Sequence, residues 1–107
     1  MIKAVFYHDK HDNICGFKLN GHAGYDDYGK DIVCAAVSAL AVNAVNSIDS
    51  FTDDKFDCKE KSGNLEFKLK GDFSKEAQLL LHSLELGLQA IQKDYSTEYI
   101  SVTSKEV

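Results

Sequence analysis

The sequence predicts an α+β domain of order ββαββαβ, with two helices on one face of a mostly antiparallel sheet. Three observations carry this. Two segments of about twenty residues repeat apolar side chains at helical spacing. Five short segments are rich in β-branched and aromatic residues, and turn-forming residues join neighbouring pairs of them. At 107 residues the chain has room for one domain, spanning 1–107, with a core but no large internal cavity, so a site should lie at an edge, under a loop or between two subunits.

Ile2 to His8 alternates loosely, Asp9 to Asn13 supplies turn residues, and Ile14 to Asn20 resumes the strand pattern. Together they predict an N-terminal hairpin. Asp31 to Phe51 is helical with Asp31 as N-cap, and its apolar residues wrap most of the circumference, which calls for cover on more than one side. Lys55 to Lys61 and Asn64 to Lys70 flank Ser62-Gly63, and Leu65, Phe67 and Leu69 alternate as a half-buried strand requires. Ser74 caps a second helix to Lys93, whose stripe is Ala77, Leu80, Leu81, Leu84, Leu88 and Ile91. Leu79, Leu86 and Ala90 fall on a neighbouring face. Tyr99 to Lys105 closes the order as a fifth strand. The helices carry more apolar surface than such a sheet covers, which predicts a homodimer through the helical layer.

Twelve basic residues, all Lys, stand against 17 Asp and Glu, a net charge of −5. Acidity and the lack of Arg argue against direct nucleic-acid binding, while leaving room for a local Lys patch. No run of about 18 apolar residues predicts a membrane span. Three Cys without a CxxC pair, behind an N-terminus with no signal-peptide pattern, point to a reduced, cytoplasmic protein. Cys15 and Cys58 are expected as packed thiols, and His8 and His11 as solvated turn residues with no third ligand for a metal. His82 is expected on a polar face with Gln78, Glu85 and Gln89. No phosphate loop appears, and no cofactor is implied.

The informative stretch is the irregular segment from Gly21 to Lys30, GHAGYDDYGK, which runs into the first helix. With Asp31 as N-cap, Cys34 is the third helical residue, among unpaired amides and the positive end of the helix dipole. That setting favours thiolate over thiol. His22, 12 positions earlier, is a candidate base, and Gly21 lets the backbone turn sharply beside it. Ser38 lies one helical turn beyond Cys34 on the same face. Asp31 can cap the helix or orient His22, but one oxygen cannot serve both. On these residues alone, an inert cysteine and a solvated histidine fit the same pattern.

The segment Gly21 to Ser38, GHAGYDDYGKDIVCAAVS, resembles the signature of the ribosomal-processing cysteine proteases, the Prp family. That signature runs Gly-His, six variable residues, Gly-x-Asp-Ile/Val-x-Cys-Ala, then Ser four after the Cys. Gly21, His22, Gly29, Asp31, Ile32, Cys34, Ala35 and Ser38 fill it here. The resemblance implies a homodimeric cytoplasmic endopeptidase with Cys34 as nucleophile, His22 as base, and Asp31 and Ser38 in support. It also implies a substrate, the N-terminal extension of large-subunit ribosomal protein twenty-seven, cut after paired aromatic residues in ribosome maturation. Backbone amides at the helix start are then expected to stabilise the oxyanion. Tyr25, Asp26, Asp27, Tyr28 and Gly29 form the expected substrate loop, the tyrosines against the aromatic pair and the aspartates against Lys beyond the cut. Two readings of other classes remain: a thiol redox enzyme using Cys34, and a non-catalytic ribosome-associated module.

Overall fold

Turn residues between alternating segments fold the chain into two hairpins, β1 (Ile2–His8) with β2 (Ile14–Asn20) and β3 (Lys55–Lys61) with β4 (Asn64–Lys70). A computed structural model describes residues 1–27 and 29–107. β2 joins the hairpins through β4, and β5 (Ile100–Glu106) pairs parallel to β1, giving a five-stranded mixed sheet of order β3-β4-β2-β1-β5. Three of the four pairings are antiparallel, as the hairpins require.

Both helices, α1 (Ile32–Phe51) and α2 (Lys75–Tyr95), pack on one another and over one face of the sheet. Side chains alternate across a strand, so Ile2, Ala4 and Phe6, then Phe17 and Leu19, then Leu65, Phe67 and Leu69, all point at the helices and are buried. Phe6, Phe17 and Phe67 are cross-strand neighbours with ring centroids 5.6 and 5.3 Å apart, and Phe56 of β3 extends the row at 5.0 Å from Phe67. Against them stand Val33, Val37, Ala41, Ala44 and Ile48 of α1 and Ala77, Leu81, Leu84 and Leu88 of α2.

Several expectations are corrected. Within one chain α1 is covered on one side only: Ile32, Leu40, Val42 and Phe51 stay exposed, as do Leu79 and Leu86 on α2, which leaves open the expected cover by a partner copy. By length and composition alone α1 is apolar enough to cross a membrane, contrary to the sequence reading, but its inward stripe makes it a core helix here. Cys58 is exposed rather than packed, because the edge strand β3 has only one covered face and little above it.

The supposed polar face of α2 is partly turned inward. Gln78 accepts the Ile14 N–H at 2.7 Å and donates to the Ile14 carbonyl at 2.8 Å, fastening α2 to the start of β2. His8 is no solvated turn residue: it ends β1, with Nε2 3.1 Å from Oε2 of the buried Glu85 and Nδ1 2.8 Å from Asp12 Oδ1. Burial pushes the imidazole pKa down, but Glu85 and then Asp12 outweigh it and raise the pKa above 6.5. A raised pKa means the charged pair contributes fully below pH 6.5 and loses its contribution as pH rises through the folded value. His8→Gln should therefore lower the thermal midpoint more at pH 6 than at pH 8.5. An equal loss at both would show that the charge on His8 contributes nothing.

Candidate active site

Cys34, His22, Asp31 and Ser38 all line one open cleft of about 1150 Å³ at the end of the sheet. Its walls are the start of α1, the loop from Gly21, and the β3–β4 turn. An edge is one of the positions that the chain's size leaves open.

Asp31 organises one wall with both its oxygens. Its backbone is extended, and Oδ1 accepts the N–H groups of Val33 and Cys34, each at 3.0 Å, as an N-cap should. Oδ2 accepts Tyr25 N–H at 2.9 Å and Asp26 N–H at 3.4 Å. Burial pushes the carboxyl pKa up, but the hydrogen bonds from Cys34, Tyr25 and Asp26 prevail and hold it below 3.8. The expectation that Asp31 caps the helix or orients His22 thus resolves into capping plus loop-clasping. Among the described residues no hydrogen bond joins His22 to Asp31 or to Cys34.

His22 is brought to the cysteine through its neighbour. Ala23 is buried, and its N–H donates to Cys34 Sγ at 3.2 Å. Gly21 N–H donates to the Gly63 carbonyl at 2.7 Å, tying the loop to the β3–β4 turn. Gly21 has φ 96°, and a Cβ there would stand 2.5 Å from the Met1 carbonyl oxygen, so only glycine fits beside the histidine. The His22 ring lies over Gly63, whose absent Cβ would stand 2.9 Å from Nε2.

Three of the helix-start amides expected as oxyanion donors are already engaged. Val33 and Cys34 N–H are spent on Asp31 Oδ1, and Ala35 N–H on the Asp31 carbonyl at 3.0 Å. Ala23 N–H is the amide that faces the sulfur. Tyr25 also departs from expectation. Its ring meets Tyr95 at 5.6 Å and Tyr99 at 5.1 Å, edge to face, which anchors the loop to the end of α2 and the start of β5. Asp26 and Gly29 line the cleft, whereas Asp27 accepts Lys30 N–H through its carbonyl at 2.9 Å, and Tyr28 lies outside the described residues. Gly63, Asn64, Tyr95 and Tyr99 are site-forming residues that sequence reasoning missed. Ser62-Gly63 announced a turn, but no local signal said which loop it would meet.

The family described as cysteine protease Prp matches residues 1–101. The chain belongs to the cysteine protease Prp family. It is a cysteine peptidase, with the α+β fold of that family. It is 34% identical over 80 residues to the ribosomal processing cysteine protease Prp of Staphylococcus aureus, covering 73% of this chain and 76% of that one. To the Prp of Bacillus subtilis it is 31% identical over 101 residues, covering 89% and 90%. The crystal structure of the S. aureus Prp with a covalently linked product peptide matches at TM-score 0.93 and 30% identity, over 98% of this chain and all of that one. The same protease with a substrate peptide matches at TM-score 0.87 and 29% identity, with 98% of this chain and 100% of that one covered.

Proposed function

We propose that Cys34 is the nucleophile and His22 the general base and acid of this peptidase. One observation carries it: the hydrogen bond from Ala23 N–H to Cys34 Sγ, which places the sulfur one peptide unit from the histidine. Cys34 Sγ passes its proton to His22 and attacks the scissile carbonyl carbon. The C–N bond then breaks as His22 gives that proton to the leaving amine, leaving a thioester. His22 next takes a proton from water, whose oxygen attacks the thioester, and returns it to the sulfur as the acid product leaves. The Ala23 N–H, freed from the sulfur as the carbonyl enters, then serves as a donor for the oxyanion. Asp31 holds the loop and helix start in register, and Ser38 lines the cleft floor beyond Cys34.

The substrate of this reading is the N-terminal extension of large-subunit ribosomal protein twenty-seven, cut after paired aromatic residues in the cytoplasm. Support comes from the motif and from relatives named for ribosomal processing, one of them held with substrate and product peptides. Incubating the chain with a synthetic peptide spanning that extension, read by mass spectrometry, should give one cut after the aromatic pair. An intact peptide beside folded, reduced protein would reject the reading and favour thiol redox chemistry. The enzyme works as a homodimer through the helical layer, for which exposed Phe51, Leu79 and Leu86 supply apolar surface. Sedimentation showing a monomer at working concentration would remove that part.

His22 placement gives a controlled test. Gly63→Ala puts a methyl against Nε2 at φ 72°, whereas Gly71→Ala adds the same backbone strain at φ 72° with nothing within 4 Å. Both should lose about 1–2 kcal/mol of stability. Only Gly63→Ala should cut kcat/KM, by roughly 100-fold, because a displacement of about 1 Å at a reacting group costs that much. Equal activities in the two variants would show that the ring does not need this seat.

A further inference from the structure

The sheet has one face under the helices and one face open, and strand register decides which lysines stand on the open one. Lys3, Val5 and Tyr7 of β1 alternate with the buried Ile2, Ala4 and Phe6. Their partners are Ser101, Thr103 and Lys105 on β5, and Asn20, Lys18 and Gly16 on β2. Further across, Lys18 pairs Glu66 and Gly16 pairs Lys68, and β3 sets Lys55, Asp57, Lys59 and Lys61 opposite Lys70, Lys68, Glu66 and Asn64. Side chains of paired residues share a face. The open face therefore carries Lys at eight positions, all exposed, against Asp57 and Glu66, a net of +6. The whole chain is −5, so everything else sums to −11.

Both carboxylates on the face are already occupied, Glu66 by Lys18 at 3.4 Å and Asp57 by Lys70 at 3.6 Å. Six lysines have no salt-bridge partner among the described residues. A solvated face kept charged only for solubility would mix signs, as the rest of this surface can, having Lys10, Lys30, Lys75 and Lys93 among its carboxylates. Here one sign is gathered on one side of the sheet, and it runs to the cleft rim at Lys61.

We propose that this open face is a docking surface for single-stranded or looped RNA, held through its phosphates. Lysines two residues apart on a strand stand about 6.6 Å apart, close to the spacing of successive phosphates on an extended strand. Beside Lys105, toward the end of β1, sits the half-buried Tyr7, whose ring offers a base a stacking surface that an acidic polypeptide would not use. Lysines are point charges without the forked geometry that reads guanine, so the recognition is independent of base sequence. The acidity of the chain, which argues against a nucleic-acid partner, averages two surfaces of opposite sign. This inference goes beyond the peptidase reading and does not depend on it.

The test is anisotropy titration of a fluorescent, unstructured 20-nucleotide RNA with the full chain at several salt concentrations. Neutralising four phosphates gives a log–log salt slope of about −3, so affinity should fall roughly 60-fold between 50 and 200 mM salt. The triple variant Lys3→Gln, Lys59→Gln, Lys68→Gln should bind at least ~30-fold more weakly at 50 mM salt and flatten the slope by about 2. Lys10→Gln, Lys75→Gln, Lys93→Gln makes the same change in net charge off the face and should stay within about 3-fold of wild type. Circular dichroism of both triples checks that each is folded. No binding by wild type at 50 mM salt would overturn the proposal, as would equal losses in the two triples. Binding of polyglutamate in place of RNA would also overturn it and assign the face to an acidic protein.

Discussion

Cys34→Ala is expected to lower peptide cleavage by at least ~10⁴-fold while leaving the fold in place, because removing a covalent nucleophile abolishes the path rather than weakening it. The structural cost is small. Cys34 is half-buried, it accepts one N–H bond from Ala23, and alanine is the better helix former at that position. The thermal midpoint should move by only a few degrees. His22→Ala should fall less, by about 10²–10⁴-fold, since the sulfur keeps its place and only proton transfer is lost. Comparing cleavage rates of the two variants by mass spectrometry checks both. Residual activity of Cys34→Ala within about tenfold of wild type would place the nucleophile elsewhere.

Asp31→Ala should be the most damaging single change to stability around the cleft. It removes an N-cap worth about 1 kcal/mol and the charged acceptor that clasps Tyr25 and Asp26, for a loss of about 2–3 kcal/mol. In a domain of this length that is a fall of roughly 10 °C in thermal midpoint. Asp31→Asn separates the two duties. Its amide oxygen can still accept from Val33 and Cys34, but its NH₂ group then faces the Tyr25 N–H and the clasp opens. We expect a midpoint lowered by about half as much as in Asp31→Ala, because the cap stays and the clasp is lost, together with reduced kcat/KM. The pH dependence has a definite sign. A carboxyl held below 3.8 contributes fully above that value and loses its contribution as pH falls through the lower folded value. The gap between wild type and Asp31→Ala should be complete at pH 6 and narrow as pH falls below 3.8. A gap that did not narrow at all as the pH fell below 3.8 would mean packing, not charge, is lost.

Local pattern carried the fold because each element announced itself. Leu65, Phe67 and Leu69 alternate, and Asp31 and Ser74 cap helices where they were expected to. The parallel seating of β5 beside β1 had no local signal, since it depends on how α2 crosses the sheet. In the site, spacing along Gly21 to Ser38 named the residues that meet in the cleft. It could not say that Asp31 serves the loop and not the imidazole, or that Tyr25 turns toward Tyr95 and Tyr99. Those depend on which distant surfaces the loop touches. Gly63 and the lysine face were hidden for the same reason: one needs the β3–β4 turn brought to Gly21, the other needs the register of five strands.

The β1–β5 pairing also sets the order in which this chain can fold. β1 finds its outer neighbour only in a strand that begins 98 residues later, at Ile100. Closing so long a loop costs about 4 kcal/mol of chain entropy before any ladder bond repays it. During synthesis β1 therefore stays an unprotected sheet edge until β5 has emerged. Two nascent chains on neighbouring ribosomes each expose that edge, and each can take the other's β5. Exchange of β5 is thus the misassembly to which this topology is most open, and dilution during refolding is the condition that suppresses it.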